Sequence, residues 1–209
     1  MKKILFVCHG NICRSPMAEF VMKDLVKKAG LASQFHIESA ATSREEIGNP
    51  VYPPARRKLA EHGISCGGHA ARQLTNRDYE EYDLLIGMDR ANLRDMHRIC
   101  GGDFAGKLHL LMDYTDHPRD VADPWYTEDF EATWQDVLAG CQGLLHELME
   151  GNENADEFQR IPQYRRVDQT GDPHGAVPCD GQRQSGIAGS LPFHRRGHQR
   201  AQDMGQQIC

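Results

Sequence analysis

The chain has 209 residues and a formal net charge of −6 at pH 7. This length allows one domain with a hydrophobic core, and the negative charge argues against a general nucleic-acid-binding protein, which carries a basic patch. No apolar stretch approaches the roughly 20 residues of a membrane-spanning helix, and the run at residues 3–7 is too short for a secretory signal. We therefore expect neither a nucleic-acid partner nor a membrane partner.

Four short strands alternate with helices along residues 1–150. The strands are predicted at 3–8, 35–42, 83–89 and 107–112. The helices are predicted at 16–29, 54–62, 75–82, from Asp89 as N-cap to a break at Gly101, and 127–149. This alternation predicts an α/β fold, namely a single doubly wound domain whose four-stranded parallel sheet carries helices on both faces.

Residues 151–209 differ in composition from the rest of the chain. They contain no lysine, are rich in glutamine and glycine, and show no hydrophobic period. Too little apolar surface is available to offset the entropy of ordering the chain. We expect a disordered C-terminal tail and assign it no role.

The cysteines form no regular framework. They are Cys8, Cys13, Cys66, Cys100, Cys141, Cys179 and Cys209. An odd number without a paired Cys-x2-Cys metal spacing is typical of a reducing compartment. We therefore expect a cytoplasmic protein with no metal and no cofactor.

Cys8 ends the first predicted strand, and Arg14 lies at the mouth of the first predicted helix, with Ser15 as a candidate N-cap and Pro16 at the first helical position. The peptide N–H groups of a loop between a strand and a helix N-terminus form an anion site. Such a site and a nearby guanidinium favour the thiolate form of cysteine. The spacing Cys-x5-Arg-Ser therefore predicts a nucleophilic Cys8, whereas the alternative is a buried structural cysteine beside a capped helix.

The other polar groups of this motif suit phosphate chemistry. Arg14 offers a planar fork that can hold two oxygens of a phosphoryl group. The Ser15 hydroxyl can donate a hydrogen bond to the Cys8 thiolate and so help the thiolate to leave later in the reaction. Asn11 suits a strained loop because its amide can bond to neighbouring backbone. The motif therefore predicts a site for a tetrahedral phosphoryl group with a thiol at its base.

An acid-rich segment spans residues 113–129. Asp123 is selected as the proton donor because Pro124 stiffens the backbone after it, while Trp125 and Tyr126 supply an aromatic wall for an aryl ring. The alternative is that Asp123 is one more solvated acid.

The stretch Cys8–Pro16, read as CHGNICRSP, resembles the signature of the low-molecular-weight protein tyrosine phosphatases. Residues 84–89 with the following Asn92 and Leu93, and residues 123–126, are similar to the same family. The resemblance covers residues 1–150. It implies that the first strand lies centrally in the sheet, with the Cys8 loop at the carboxyl edge, where such folds bind ligands.

The resemblance implies a protein tyrosine phosphatase, a phosphoric monoester hydrolase. It would cleave phosphotyrosine and small aryl phosphates through a phosphocysteine on Cys8, with Arg14 and Asp123 as the other catalytic residues. The loop residues expected to bind the substrate are His9, Gly10, Asn11, Ile12, Cys13 and Ser15. The expected partners are a phosphotyrosine-containing protein or a small aryl phosphate, and a cognate tyrosine kinase.

Four residues around the motif have two interpretations each. In the resembling family a serine at the position of Ser39 can support the phosphate loop, although a small buried residue is the ordinary interpretation. His69 either braces the loop through Asn11 or Ser39, or is a surface histidine. Tyr52 stands where the family often carries an aspartate, and either faces the substrate or packs on the surface. Cys13 either forms a reversible disulfide with Cys8 or is a small loop residue.

Two other functions remain as alternatives. A thiol-dependent arsenate reductase would use Cys8 with a relay of resolving thiols, but Cys66 and Cys100 lie in no recognisable relay motif. A phosphate-binding module without turnover would lack either the acid or the nucleophile, and both are present in this sequence.

Overall fold

One parallel sheet organises the part of the chain that the structure, a computed structural model, describes, namely residues 1–150. The strands are β1 (Lys2–Cys8), β2 (Phe35–Ala41), β3 (Leu84–Gly87) and β4 (Leu108–Leu110). They lie in the order β2-β1-β3-β4, so β1 is central. The predicted α/β fold class is confirmed, while the predicted tail at 151–209 lies outside the described residues.

Helices cover both faces of this sheet. They are α1 (Arg14–Lys28), α2 (Pro53–Glu61), α3 (Asn76–Glu81), α4 (Arg90–Cys100), α5 (Pro124–Thr127) and α6 (Phe130–Glu150). Two 3-10 turns, Ala32–Gln34 and Leu111–Tyr114, precede β2 and follow β4. In residues 1–150, no helix is both long and apolar enough to cross a membrane.

The sequence of β1 is continuously apolar because this central strand is buried on both of its faces. Ile4 and Phe6 belong to the core that contains side chains of α1, α2 and α6, whereas Leu5 and Val7 belong to the core on the α4 side. Successive residues of a strand point to opposite faces, so a strand buried on both faces needs no polar residue. Both layers fix the position of Cys8 at the carboxyl end of β1.

Helix α1 begins earlier than the sequence predicts. It starts at Arg14 with Cys13 as N-cap, and no side chain caps it. The predictions of Ser15 as N-cap and Pro16 as the first helical residue are therefore wrong. The hydroxyl of Ser15 lies 3.0 Å from the sulfur of Cys8, so it faces the loop and is not used as a cap.

Two predicted caps are confirmed, and several predicted ends shift. Thr75 forms a capping box with Asp78 at α3, and Asp89 accepts the Asn92 N–H at 2.6 Å to cap α4. Strand β3 therefore ends before Asp89, and β4 ends where the Leu111–Tyr114 turn begins. The predicted helix at 127–149 corresponds to α6, which begins at Phe130, and the sequence did not predict the separate α5, which ends where Glu128 takes a left-handed conformation with φ of +56°.

Two glycines allow α6 to pack closely against the turn after β4. A Cβ added to Gly143 would lie 1.8 Å from the carbonyl oxygen of Tyr114, and one added to Gly140 would lie 2.5 Å from Cγ of Leu111. No real Cβ tolerates these separations, so α6 can approach the turn only with glycine at both positions. This contact helps to set the start of the loop that leads to Asp123.

We predict that Gly143→Ala lowers the free energy of unfolding by about 1–3 kcal/mol, the usual effect of overpacking. Alanine in a helix interior is normally favoured over glycine by roughly 0.5–1 kcal/mol, so the expected effect has the opposite sign. Urea denaturation measures it. The control is Gly67→Ala, where the nearest atom to the added Cβ is 3.9 Å away. A Gly143→Ala protein as stable as the parent would show that this close contact does not exist.

Candidate active site

The loop between β1 and α1 lies at the carboxyl edge of the sheet. Cys8 ends β1 opposite Ala41 of β2, and Val7 pairs with Gly87 of β3. Arg14 is the first residue of α1. The side chains that follow β1 and β3 therefore meet at one place, as expected for an open parallel sheet. Cys8 is only 4% exposed there.

Five carbonyl groups of this loop bond outward, to the structure around it. The donors are Thr42 N–H to Cys8 O (2.8 Å), Ser43 N–H to His9 O (3.0 Å), His69 Nε2 to Asn11 O (2.8 Å), Tyr52 N–H to Ile12 O (2.8 Å) and Met17 N–H to Cys13 O (3.1 Å). In a trans peptide the N–H points opposite to the C=O of the same unit. The N–H groups that consequently face the inside of the loop are those of His9, Gly10, Ile12, Cys13 and Arg14.

The remaining peptide of the loop completes the ring. The Asn11 N–H donates directly to the sulfur of Cys8 at 3.3 Å. Six consecutive N–H groups thus surround the thiol, and a concave set of such dipoles binds anions. This arrangement supports an anionic sulfur and an anionic ligand above it.

Asn11 is suited to this loop for two reasons. Its φ is +57°, a left-handed conformation that asparagine tolerates better than most residues. Its fully buried side chain accepts the Arg72 N–H at 3.1 Å and donates to Ser15 Oγ at 3.0 Å and Ser39 Oγ at 2.7 Å. The side chain therefore locks the loop in this strained conformation.

A chain of hydrogen bonds runs from Glu19 through Ser39 and Asn11 to Ser15, and the donor of each bond can be assigned. The Ser39 hydroxyl donates to Glu19 Oε2 at 2.5 Å, so Ser39 accepts from Asn11. The second N–H of the Asn11 amide occupies an acceptor site on Ser15 Oγ. The Ser15 hydroxyl then donates either to the Cys8 sulfur, 3.0 Å away, or to the more distant Ala40 carbonyl at 3.4 Å. Each bond polarises the next, which strengthens the hydrogen bond between Ser15 and Cys8.

His69 lies inside this network. Its side chain is 6% exposed, and its Nε2 lies 2.8 Å from the Asn11 carbonyl. Because a carbonyl only accepts, Nε2 carries the proton. The opposite nitrogen, Nδ1, lies 3.9 Å from Glu19 Oε2. The structure therefore supports the bracing interpretation of His69 and excludes the surface-histidine alternative, and it places Ser39 on the supporting side of the loop.

Arg14 is held between two carboxylates. Its side chain is 5% exposed, with Nη1 2.6 Å from Asp89 Oδ2 and Nη2 2.6 Å from Asp123 Oδ2. Burial opposes the charge, yet the negative Cys8, Asp123 and Asp89 outweigh it and raise the pKa of Arg14 above its ordinary value. A buried cation needs such partners, and the pair fixes the orientation of the guanidinium fork.

Asp123 and one aromatic side chain border the loop mouth. Asp123 Oδ1 accepts the Trp125 N–H at 3.0 Å, which caps α5. The Trp125 ring, whose residue is 63% exposed, lies 6.1 Å from the ring of Tyr52. We use the name aromatic wall for Tyr52 and Trp125, in place of the predicted pair Trp125 and Tyr126. Tyr126 is 84% exposed and projects into solvent.

The other predicted loop residues differ in exposure. His9 is exposed and lies 3.1 Å from Glu45 Oε2, while Ile12 is half-buried. A Cβ on Gly10 would lie 3.2 Å from Cγ of Glu46, so the loop passes close to that side chain. Burial, with the nearby negative Cys8 and Asp123, raises the pKa of Cys13 to about 12. Cys13 is therefore a protonated thiol at neutral pH.

Sequence reasoning missed two acidic residues at this site. Asp89 was predicted only as a helix cap, although it follows β3 and so lies at the same sheet edge as Cys8. Glu19 lies four residues after Ser15 on α1, a spacing that places both on one helix face. Both positions were available from topology and helical period. In residues 1–150, no group of three or more His, Cys, Asp or Glu side chains is placed to hold a metal ion.

Known proteins match this chain over the described domain. The family model for low molecular weight phosphotyrosine protein phosphatase matches residues 3–154. The low molecular weight protein-tyrosine-phosphatase YfkJ of Bacillus subtilis is 39% identical over 147 residues, which is 69% of this chain and 94% of that protein.

Solved structures agree with the sequence matches. The YfkJ crystal structure has a TM-score of 0.71 at 37% identity and covers 73% of this chain and 98% of its own. The phosphatase SP-PTP of Streptococcus pyogenes has a TM-score of 0.65 at 41% identity, covering 71% and 94%. DARP, described as a drosophila arginine phosphatase, has a TM-score of 0.64 at 27% identity, covering 70% and 98%.

The fold and the thiol-centred loop, with these matches, define an enzyme of the protein-tyrosine-phosphatase class, a phosphoric monoester hydrolase. The chain belongs to the low molecular weight phosphotyrosine protein phosphatase family.

Proposed function

We propose that this enzyme hydrolyses phosphotyrosine, and small aryl phosphates, through a phosphocysteine on Cys8. The observation that carries the proposal is the Asn11 N–H bond to the Cys8 sulfur, in a loop whose five other peptides bond their carbonyl groups outward, with the Arg14–Asp123 pair beside it. Preorganised donors of this kind stabilise charge as it develops on the transferring phosphoryl group.

In the first step, the Cys8 thiolate attacks phosphorus and the bond to the phenolic oxygen breaks. The N–H groups of residues 9–14 and the Arg14 fork hold the equatorial oxygens. These oxygens take the place of Asp123 on Arg14 Nη2, while Asp89 keeps its bond to Nη1. Asp123, once released from Arg14, takes up a proton from solvent and gives it to the departing phenolate.

In the second step, a water molecule attacks the phosphocysteine. Asp123, left as a carboxylate, takes a proton from this water. The S–P bond breaks, inorganic phosphate leaves, and the electron pair returns to Cys8. As the bond breaks, the Ser15 hydroxyl donates a hydrogen bond to the departing thiolate, which makes Cys8 a better leaving group. No step requires a metal or a cofactor.

The aromatic wall supports an aryl substrate. The rings of Tyr52 and Trp125 stand beside the loop, and Tyr52 N–H bonds directly to Ile12 O. A phenyl ring that packs against this wall gains contact area that a serine ester lacks. The proposed substrates are therefore phosphotyrosine-containing proteins, and a tyrosine kinase that produces them is the proposed functional counterpart.

Two observations weigh against the arsenate reductase alternative and for a cytoplasmic location. Cys66 and Cys100 are both buried, and Cys100 belongs to the core on the opposite face of the sheet from the core that contains Cys8, so neither is placed as an accessible relay thiol. All five cysteines in residues 1–150 are free thiols, as in reducing compartments. We propose that the enzyme works in the cytoplasm as a hydrolase.

We predict that Cys8→Ser lowers turnover by several orders of magnitude because it removes the nucleophile. Phosphate binding should remain, because the loop N–H groups do not depend on the sulfur. Assays use p-nitrophenyl phosphate and a phosphotyrosine peptide, and calorimetry measures phosphate binding. The matched control is Cys66→Ser, whose thiol lies outside the loop. Measurable turnover by Cys8→Ser would rule out Cys8 as the nucleophile.

A panel of substrates tests the choice of ester. We expect phosphotyrosine peptides to be cleaved faster than phosphoserine and phosphoarginine peptides. Phosphoarginine is included because DARP shares this fold. Faster cleavage of phosphoarginine, or turnover only in a thioredoxin-coupled arsenate assay, would overturn the proposed substrate.

We predict that Asp123→Asn lowers kcat/KM for phenyl phosphate by about 10²–10⁴-fold, the usual range for general acid catalysis. The loss for p-nitrophenyl phosphate is expected to be much smaller, because p-nitrophenolate leaves without protonation. Asparagine can still accept the Trp125 N–H that caps α5. The control, Asp116→Asn, alters an exposed acid of the same loop. Equal losses on both substrates would assign the acid to another residue.

We also propose that Cys13 protects Cys8 during oxidation. Peroxide converts the Cys8 thiolate to a sulfenic acid; the Cys13 sulfur then attacks it, water leaves and an S–S bond forms. Because the pKa of Cys13 is about 12, its thiolate fraction, and so the rate of closure, rises with pH across the neutral range.

We predict that Cys13→Ser recovers less activity than the parent when dithiothreitol follows a peroxide pulse, each protein being compared with its own untreated sample. Without Cys13, Cys8 continues to the irreversible sulfinic acid. The control is Cys141→Ser, which alters a thiol buried in the core. Full recovery by Cys13→Ser would assign Cys13 to the loop structure alone.

A further inference from the structure

A buried carboxylate on α6 holds the segment that precedes Asp123. Asp136 is 3% exposed. Its Oδ2 accepts Arg119 Nη1 at 2.7 Å and the Ala122 N–H at 2.9 Å, and its Oδ1 accepts Arg119 Nη2. Both oxygens are therefore used, and every one of these donors comes from the segment that leads to Asp123.

The other backbone group of Ala122 also bonds to α6. The buried Thr133 donates its hydroxyl to the Ala122 carbonyl at 2.9 Å. Thr133 and Asp136 are three residues apart, so they lie on one face of the helix. The residue immediately before Asp123 is thus held through both its N–H and its C=O.

The chain after Asp123 is anchored by the buried Pro124, and the two residues that follow are exposed. Trp125 is 63% exposed and Tyr126 is 84% exposed. In the proposed reaction Asp123 also gives up its bond to Arg14 when a phosphoryl group binds. Its backbone then keeps two supports, the buried Pro124 that follows it and Ala122, which α6 holds through both backbone groups.

The charge of Asp136 explains why Arg119 is part of this arrangement. A buried carboxylate without a cation is strongly destabilising. The Arg119 side chain is 54% exposed and approaches from the loop side, forming a two-pronged contact with Asp136. This geometry is the strongest form of carboxylate recognition, and residues 119 and 122 are thereby tied to the same carboxylate.

We propose that the Arg119–Asp136 pair is a positioning pair for the general acid, holding Asp123 within reach of the leaving-group oxygen. The inference rests on the proposed function, because it assumes that Asp123 protonates the leaving group. The pair itself touches neither the phosphoryl group nor the thiol.

The test measures kcat/KM for phenyl phosphate and for p-nitrophenyl phosphate, since this constant reports the steps up to phosphocysteine formation. Asp136→Asn keeps the size of the side chain but loses the charge and one acceptor, and Arg119→Gln loses the cation. We expect each variant to lose about tenfold more activity on phenyl phosphate than on p-nitrophenyl phosphate, because a small displacement of a catalytic group costs rate steeply.

The controls separate positioning from general stability. Gln135→Ala alters the neighbouring exposed residue of α6 and should leave the ratio of the two kcat/KM values unchanged. Equal losses on both substrates in Asp136→Asn and Arg119→Gln would mean a structural role and would overturn the inference. If Asp136→Asn does not fold, the surface variant Arg119→Gln decides the question alone.

A double variant distinguishes this inference from the proposed function. Once Asp123→Asn has removed the acid, adding Asp136→Asn should change the substrate ratio no further. If Asp123→Asn shifts the ratio but Asp136→Asn and Arg119→Gln do not, the positioning role fails and the proposed function stands. If Asp123→Asn does not shift the ratio, the assignment of the acid fails and the inference fails with it.

Discussion

The site depends on the outward direction of the carbonyl groups in the loop after β1. Their donors come from separate parts of the fold: the end of β2, the segment before α2, His69 and the first turn of α1. No single element could turn all five carbonyls away from the sulfur. The neighbouring position of β1 and β2 is therefore a condition for the anion site, and loss of any donor would let a peptide turn its oxygen toward Cys8.

The two carboxylates bound to Arg14 have different roles: one is a permanent partner of the guanidinium, and the other is a proton donor that must move. Asp89 is fixed, since it also caps α4 through the Asn92 N–H. Asp123 lies on a partly exposed loop and can exchange its place on Nη2 for a phosphoryl oxygen. A buried guanidinium needs a permanent negative partner, whereas a proton donor must be free to move. One arginine satisfies both conditions only because its fork has two separate ends.

The sequence predicts the fold and the centre of the site, because both depend on local patterns. The apolar run of β1 and the spacing from Cys8 to Arg14 need no knowledge of distant residues. The start of α1 was misjudged because Ser15 has the chemistry of an N-cap but spends its hydroxyl on Cys8. His69 stayed ambiguous because its partner lies 58 residues away, and such a contact has no signal within either segment.

Helix α6 holds both ends of the loop that leads from Tyr114 to Asp123. Gly143 allows it to lie against Tyr114, where that loop begins, and Thr133 with Asp136 holds Ala122, where it ends. The loop between them needs no regular structure, because both of its ends are fixed to one rigid body. Asp123 is the first residue after the second attachment. Its backbone is therefore placed accurately, while its side chain is still able to move.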